Sequence, residues 1–155
     1  MKDKPDTPAE LKARALRYLV RREHSRAELV RKLAPHAESE AALNAVVDLL
    51  QSKKQLSDER FAEERARSLS RKYGAAKIRQ DLKERGVAGD IVERVSGEGE
   101  LERAKAILKR KYREPPQTRE EHARRARFLQ SRGFSYETIR GALASLSGST
   151  NFPDE

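Results

Sequence analysis

Apolar side chains recur along the chain at the three- and four-residue spacing that is typical of amphipathic α-helices. Three segments show the pattern most clearly. Their apolar positions are Leu11, Ala15, Tyr18 and Leu19; Ala62, Ala66, Leu69 and Tyr73; and Leu101, Ala104, Leu108 and Tyr112. Near the end of each segment a leucine is followed, at the second and third positions after it, by two basic residues. This similarity predicts three copies of one helical unit.

A second helix in each copy is indicated by its stop signal. Leu82-Lys-Glu-Arg-Gly86-Val87 is repeated as Leu129-Gln-Ser-Arg-Gly133-Phe134, and a glycine followed by an apolar residue is typical of a left-handed helix end. In the first copy, Pro35 ends the corresponding helix instead. Ser25 and Thr118, each followed three residues later by glutamate, predict capping boxes at helix starts.

A third helix closes each copy, as indicated by four-spaced apolar pairs. The pairs are Val46 and Leu50, Ile91 and Val95, and Ile139 and Leu143. We therefore expect an all-α protein of three tandem three-helix repeats in an elongated, curved arrangement. The repeats are predicted over residues 9–54, 55–97 and 98–146, with flexible ends at residues 1–8 and 147–155.

Bulk composition agrees with a thin architecture that carries positive charge. Charged residues make up 38% of the 155 residues and apolar residues 36%, which is too little apolar bulk for one thick core. The formal net charge of +9 is spread over all three copies. Diffuse positive charge favours a polyanionic partner, either nucleic acid or an acidic protein surface.

Basic residues concentrate at a short corner in the second copy, where Gly74 is expected to let the chain turn between two helices. The members of this predicted cluster are Arg71, Lys72, Lys77, Arg79 and Lys83. Positive charges so close together repel one another unless an anion is near, so the cluster is a candidate binding site. The corresponding corner of the third copy is eight residues longer and contains Pro115-Pro116.

Arginine stripes are predicted on the polar faces of two helices. Arg60, Arg67 and Arg71 lie opposite the apolar face of one helix, and Arg103 and Arg110 lie opposite that of another. The alternative is that these arginines lie on an ordinary solvated helix face and form ion pairs within their own helix. Glu63 precedes Arg67, and Arg60 precedes Glu64, by the four residues that such pairs require. Such pairs stabilise a helix by about 0.2–0.5 kcal/mol each. The pattern alone leaves both alternatives open.

Several kinds of chemistry find no support in the sequence. There is no cysteine, and the three histidines fall in separate places along the chain, so we expect no metal site. No phosphate-binding or dinucleotide-binding glycine motif occurs, so we expect neither catalysis nor a cofactor. No apolar run approaches the roughly 20 residues of a membrane span, so we expect a cytoplasmic protein without a membrane segment.

Four motifs together resemble the RecX family of recombination regulators, over about Leu11 to Leu146. They are Leu56-Ser-Asp-Glu-Arg-Phe61-Ala, Tyr73-Gly-Ala-Ala-Lys-Ile78-Arg, Leu82-Lys-Glu-Arg-Gly86-Val87 and Phe128-Leu-Gln-Ser-Arg-Gly133-Phe-Ser-Tyr136. Two departures are the alanine at position 75, where the family often has proline, and the missing Arg-Gly stop in the first copy.

The resemblance implies a protein that binds RecA recombinase filaments on DNA and negatively modulates ATP hydrolysis and strand exchange, in DNA repair, recombination and the SOS response. It implies a monomer that contacts single- and double-stranded DNA weakly or through the filament. The matching motif positions are Arg71, Lys72, Lys77, Ile78 and Arg79, and we add Lys83, Arg60, Arg67, Arg103 and Arg110 as candidate filament- or DNA-binding residues. Two alternatives stay open: an autonomous helical DNA-binding regulator, and a protein-interaction scaffold.

Overall fold

A computed structural model describes residues 4–146, and over this range the chain forms nine α-helices, one 3₁₀ turn and no strand. The helices are α1 (Pro8–Arg21), α2 (Arg26–Leu33), α3 (Glu40–Ser52), α4 (Asp58–Leu69), α5 (Ala75–Glu84), α6 (Gly89–Val92), α7 (Glu100–Lys111), α8 (Arg119–Ser131) and α9 (Tyr136–Leu146), with the 3₁₀ turn at Ala34–His36. The all-α prediction is confirmed. The flexible end predicted at 147–155, and residues 1–3 of the other, lie outside the described residues.

The chain divides into two compact units. One comprises the residues up to Arg65 together with Leu82–Arg94, and the other comprises Ala66–Asp81 together with the residues from Val95 onward. The unit boundaries fall inside α4 and α5, so the middle copy contributes to both units. The repeat limits at residues 9–54, 55–97 and 98–146 stay a prediction.

In the first unit, α1, α2 and α3 enclose an apolar cluster. Its buried members are Leu11, Ala15, Leu29, Leu33, Leu43, Val46, Val47, Leu50 and Leu56. Each leucine or valine buried in this way contributes about 1.5–3 kcal/mol relative to an exposed side chain. The four-spaced apolar positions predicted at Leu11 and Ala15, and at Val46 and Leu50, therefore belong to this core.

In the second unit, α7, α8 and α9 enclose a second apolar cluster. Its buried members are Ala104, Ile107, Leu108, Leu129, Phe134, Ile139, Ala142 and Leu143. Leu101 was predicted on the buried face of α7, but its side chain is 37% exposed while the neighbouring Glu100 is buried. The prediction for Leu101 was therefore wrong. Glu100 is buried instead, because its carboxylate has hydrogen-bond partners inside the unit, which are described below.

The third helix of the middle copy is much shorter than predicted. α6 is a single turn, and the buried side chain is Val92, not Ile91 or Val95, which are each half-buried. A single turn buries one apolar side chain well, so the four-spaced pair at Ile91 and Val95 does not define a packed helix face.

Helix starts are fixed by side-chain caps. The box predicted at Ser25 is confirmed, because the Ser25 hydroxyl accepts from the Glu28 N–H and Glu28 accepts from the Ser25 N–H. Thr118 accepts from the Glu121 N–H, but the Glu121 carboxylate binds the N–H of Gln117, one residue before the cap. The start of α8 therefore has only one of the two hydrogen bonds of the predicted capping box.

Two glycines end helices in the left-handed conformation, as predicted. Gly86 has φ +79° and Gly133 has φ +88°. The N–H of the next residue reaches back to a helix carbonyl in both cases, from Val87 to Leu82 O at 3.1 Å and from Phe134 to Leu129 O at 3.2 Å. Val87 and Phe134 are themselves buried, which completes the cap.

Both helix stops also pack against the second helix of the preceding copy. A Cβ on Gly86 would lie 2.4 Å from Cβ of Ala27 in α2, and one on Gly133 would lie 2.5 Å from Cβ of Lys77 in α5. The preceding arginine carbonyl accepts a hydrogen bond there, Arg85 O from the Ser25 hydroxyl at 2.8 Å and Arg132 O from the Gly74 N–H at 2.7 Å. We call this recurring arrangement the Arg-Gly docking contact.

The first copy, which lacks the Arg-Gly stop, ends its second helix in a different way. α2 ends at Leu33 and is followed directly by the 3₁₀ turn at Ala34–His36, which contains Pro35. This agrees with the prediction that Pro35 ends the helix, because a proline in a helix interior removes a backbone hydrogen bond.

Gly74 has a different role from the one predicted. Its φ is not in the left-handed range, so no special turn conformation requires a glycine at this position. A Cβ on Gly74 would instead lie 2.4 Å from the carbonyl oxygen of Gly133. Gly74 is needed because two backbone segments approach each other closely in the second unit.

His24 is almost fully buried in the first unit and has a partner for each ring nitrogen. Nδ1 lies 3.0 Å from the Arg22 carbonyl oxygen and Nε2 lies 2.8 Å from the Lys32 ammonium. A neutral ring that donates from Nδ1 and accepts at Nε2 satisfies both contacts. Burial lowers the pKa of His24, and the charges of Arg22 and Lys32 act in the same direction against the Arg22 carbonyl and Glu28.

Replacing Gly133 with alanine should lower the free energy of unfolding by about 2–4 kcal/mol, because a left-handed φ and a steric clash add together. Gly74→Ala should also destabilise, through the clash alone. Gly89→Ala is the matched control, because a Cβ there meets no atom within 4 Å, and we expect a change of at most about 1 kcal/mol. Urea unfolding followed by circular dichroism measures all three. Equal stability of the Gly133→Ala and Gly89→Ala variants would contradict the docking contact.

Acidification from pH 8 to 5.5 should lower the free energy of unfolding through His24. The folded pKa lies below the ordinary value of 6.5, so the unfolded chain binds more protons as the pH falls through that value. His24→Gln keeps a donor and an acceptor but does not titrate, so its unfolding free energy should depend less steeply on pH over this window. Urea titrations at four pH values provide the comparison. Identical pH slopes for the two proteins would show that His24 has no such effect.

Candidate functional site

The first turn of α5 carries part of the predicted basic cluster, and acceptors from the same unit hold it in place. The N–H groups of Gly74, Ala75 and Ala76 donate to Arg132 O at 2.7 Å, Glu100 Oε1 at 3.1 Å and Gly133 O at 3.3 Å. The free N–H groups at a helix start need such acceptors. The start of α5 is therefore anchored by the loop after α8 and by the first residue of α7.

Glu100 links this helix start to a second one. The side chain is only 6% exposed, and its Oε2 accepts from the Thr138 hydroxyl at 3.0 Å in α9. A carboxylate beside a helix N-terminus is stabilised by the helix dipole and by the free N–H groups. The sequence analysis did not select Glu100. A possible signal was the preceding Gly99, which caps α7 in the left-handed conformation, with φ +74°.

Three of the predicted binding residues point into solvent around this anchored corner. Arg71 and Lys72 lie in the turn between α4 and α5, and Lys77 lies in the first turn of α5, and all three are exposed. Within residues 4–146, none of the three side chains forms an ion pair. Arg110 also belongs here, because its Nη2 donates to the Arg71 carbonyl oxygen at 2.9 Å. The second unit therefore brings Arg71 and Arg110 together.

Two other predicted residues in the second unit are occupied by structural hydrogen bonds. Arg79 Nε donates to the Val95 carbonyl oxygen, and Arg103 Nη1 donates to that of Glu98, both at 2.9 Å. Arg103 Nε is buried and has no hydrogen-bond partner among the described residues. These guanidinium groups fasten loops, so each has less freedom to reach an external anion.

The predicted helix pairs on α4 do not form in the part of the chain that the structure describes. Arg60 pairs with Glu23 in the first unit at 2.9 Å and not with Glu64. Arg67 is exposed and forms no ion pair with Glu63. The alternative of a fully paired exterior is thus weakened for this helix, because Arg67 keeps its charge in solvent.

The nine predicted residues are divided between the two units. Arg60 and Lys83 belong to the first unit and the other seven to the second. Lys83 is exposed and, like Lys77, has no ion pair within the described range. Whether these residues bind a filament or DNA stays a prediction.

Arg132 is a basic residue beside the corner that sequence reasoning did not select. Its guanidinium carbon lies 5.3 Å from the ring centroid of Tyr73 and 5.0 Å from that of Phe128. Such cation–π contacts contribute about 0.5–1 kcal/mol at exposed sites. The signal was the Arg-Gly stop itself, which was interpreted only as the end of a helix.

The described residues offer no site for redox or hydrolytic chemistry based on a metal ion. No group of three or more histidine, aspartate or glutamate side chains in residues 4–146 could hold a metal ion. No helix in this range is long and apolar enough to cross a membrane. What the corner offers is fixed positive charge, which attracts anions over distances of several ångströms.

Comparison with known proteins agrees with the three-copy pattern. The family model for the first three-helix domain of RecX matches residues 12–50, that for the second matches residues 57–95, and that for the third matches residues 98–143. Together these matches cover most of the chain. The prediction of three tandem helical units is confirmed at the level of the family.

Individual relatives give the same result. The chain is 43% identical to "Regulatory protein RecX" of Herbaspirillum seropedicae over 142 residues, covering 90% of this chain and 92% of that protein. It is 46% identical to the protein of that name from Ralstonia nicotianae, covering 87% of both. The crystal structure of RecX from Lactobacillus salivarius shares the fold with a TM-score of 0.78 at 20% identity, covering 90% of this chain and 96% of that one. The chain belongs to the RecX family of regulatory proteins.

Proposed function

We propose that this protein binds RecA recombinase filaments on DNA and slows their ATP hydrolysis and strand exchange. Family membership supports a regulatory role. The resemblance of the four sequence motifs to the RecX family suggests the recombinase as the partner. The single structural observation in favour is the exposed group of Arg71, Lys72 and Lys77, which carries no ion pair in the described residues. Unpaired positive charge on an anchored corner is well suited to a polyanionic partner.

Anchoring of the corner favours binding for a physical reason. Three acceptors fix the N-terminus of α5, so the backbone that carries Lys77 is already ordered before any partner arrives. Binding then costs mainly the ordering of side chains, about 0.5–1.5 kcal/mol each, and not the ordering of a loop. Lysine and arginine can make charge-assisted hydrogen bonds to phosphates or carboxylates, which are stronger than neutral ones.

The proposed action needs no catalytic group in this protein. A regulator that binds one state of a filament more tightly than the others shifts the filament toward that state. If the favoured state hydrolyses ATP slowly, hydrolysis and strand exchange slow together. We further propose that the protein acts in the cytoplasm, as a monomer and without a cofactor.

An autonomous DNA-binding regulator is the second candidate, and the same unpaired side chains favour it. Such a protein would bind bare duplex without recombinase and would prefer certain sequences, because specificity comes from contacts to base edges. A filament regulator needs at most weak affinity for phosphates. The two proposals therefore differ in what they require of bare DNA.

Reversing Arg71, Lys72 and Lys77 to glutamate should raise the concentration needed for half-inhibition of RecA ATPase by at least about tenfold, since each lost contact removes a charge-assisted hydrogen bond. The assay uses RecA on single-stranded DNA. The matched control reverses Arg31, Lys53 and Arg127, three exposed residues without an ion pair in the described range, and should change the midpoint less than twofold. Absence of inhibition by the unaltered protein would refute the proposal, as would equal loss in both variants.

Affinity for bare 30-base-pair duplexes separates the two candidate functions. We expect weak binding that falls steeply between about 50 and 200 mM salt and does not depend on sequence. Fluorescence anisotropy with a set of random-sequence duplexes measures both properties. Nanomolar binding to a subset of the sequences would instead favour the autonomous regulator.

A further inference from the structure

The long corner of the third copy forms one wall of a groove within the second unit. The cavity measures about 200 Å³ and lies between the end of α7, the 112–118 segment and α9. Its apolar surface comes from Leu108, Tyr112, Pro116, Leu143 and Leu146. The corner predicted from Pro115-Pro116 thus has a structural consequence that the proposed function does not use.

The size of the groove limits what can occupy it. Pockets for metabolites and cofactors usually measure about 300–1,000 Å³, and this cavity is smaller. It has room for one bulky apolar side chain. Proline fixes the backbone torsion φ, so Pro115 and Pro116 give the wall a shape that exists before an occupant arrives.

The rim of the groove is positive. Lys109, Arg113 and Arg125 line it, with Glu114 as the only acidic side chain among the lining residues. Lys109 and Arg113 are exposed, and neither forms an ion pair within the described residues. An occupant with carboxylates on either side of its apolar anchor would therefore meet complementary charge.

A nucleobase fits this groove less well than a peptide side chain. Bases usually bind single-strand sites by stacking on open aromatic faces. Tyr112 is the aromatic side chain among the lining residues, and the Arg125 guanidinium lies 4.2 Å from its ring centroid. The Tyr112 ring also packs against the apolar cluster of the unit. A base that stacked on this ring would have to displace the guanidinium.

We propose that this groove binds an acidic peptide segment of a partner protein through one bulky apolar anchor residue. The anchor sits among Leu108, Leu143 and Leu146, and the flanking carboxylates face Lys109 and Arg113. The inference rests on the groove alone and does not depend on the proposed recombinase function.

A fluorescein-labelled peptide, Gly-Glu-Asp-Leu-Phe-Asp-Glu-Gly, is the probe, and fluorescence anisotropy with the full chain measures binding. Lys109→Glu combined with Arg113→Glu should weaken binding at least tenfold. Arg31→Glu combined with Lys53→Glu makes the same change of net charge elsewhere and should leave binding within twofold of the unaltered protein. Leu146→Ser should also weaken binding, and a peptide with serine in place of leucine and phenylalanine should bind at least tenfold more weakly.

Several outcomes would overturn the inference. These are no binding of the probe at about 1 mM protein, equal weakening by the two charge-reversed variants, or equal binding of the serine peptide. Stronger competition by oligo(dT) than by unlabelled peptide would assign the groove to nucleic acid. A tenfold gain in affinity in a Phe152→Ser variant, altered outside the described residues, would show that the chain's own tail fills the groove. Thermal melts confirm that each variant remains folded.

Discussion

The Arg-Gly docking contact is the constraint on which the packing within each compact unit depends. A left-handed glycine ends the second helix of one copy and, because it has no side chain, lets that helix end touch the second helix of the copy before it. The carbonyl of the preceding arginine binds a donor at or beside the start of that helix. One short motif therefore stops a helix and joins two copies. It occurs once in each compact unit.

This contact also accounts for the local properties of the basic corner. Repulsion among neighbouring positive charges would favour a loose loop, yet the start of α5 is bonded to Arg132 O, Gly133 O and the buried Glu100. These hydrogen bonds hold the backbone in place and offset the repulsion between the neighbouring positive charges. The exposed side chains keep their charge in solvent. Anions are the natural partners of such a surface. Two of the other predicted basic residues are held internally, Arg60 by an ion pair with Glu23 and Arg79 by the Val95 carbonyl group.

Much of the fold was predictable because helices of this kind follow local rules. The spacing of Leu11 and Ala15, the cap at Ser25 and the stops at Gly86 and Gly133 all depend on residues within a few positions of one another. Two local predictions also failed, the helix face at Ile91 and Val95 and the complete capping box at Thr118. Other errors concern contacts between distant residues. Burial of Glu100 depends on the start of α5 and on Thr138, and the need for glycine at position 74 depends on Gly133. No local pattern contains that information. Of the candidate site, the sequence indicated which residues are basic, but not which guanidinium groups are bound internally.

Chemical footprinting of lysines tests the central claim most directly, namely that the docked corner presents its positive charges to the recombinase filament. Acetylation followed by mass spectrometry compares the reactivity of Lys72, Lys77 and Lys53, all exposed in the free protein, with and without RecA filaments on single-stranded DNA. We expect Lys72 and Lys77 to lose at least about two-thirds of their reactivity on the filament while Lys53 keeps its own, and we expect a Gly133→Ala variant to lose this protection. Unchanged reactivity of Lys72 and Lys77 on saturating filament would contradict the account.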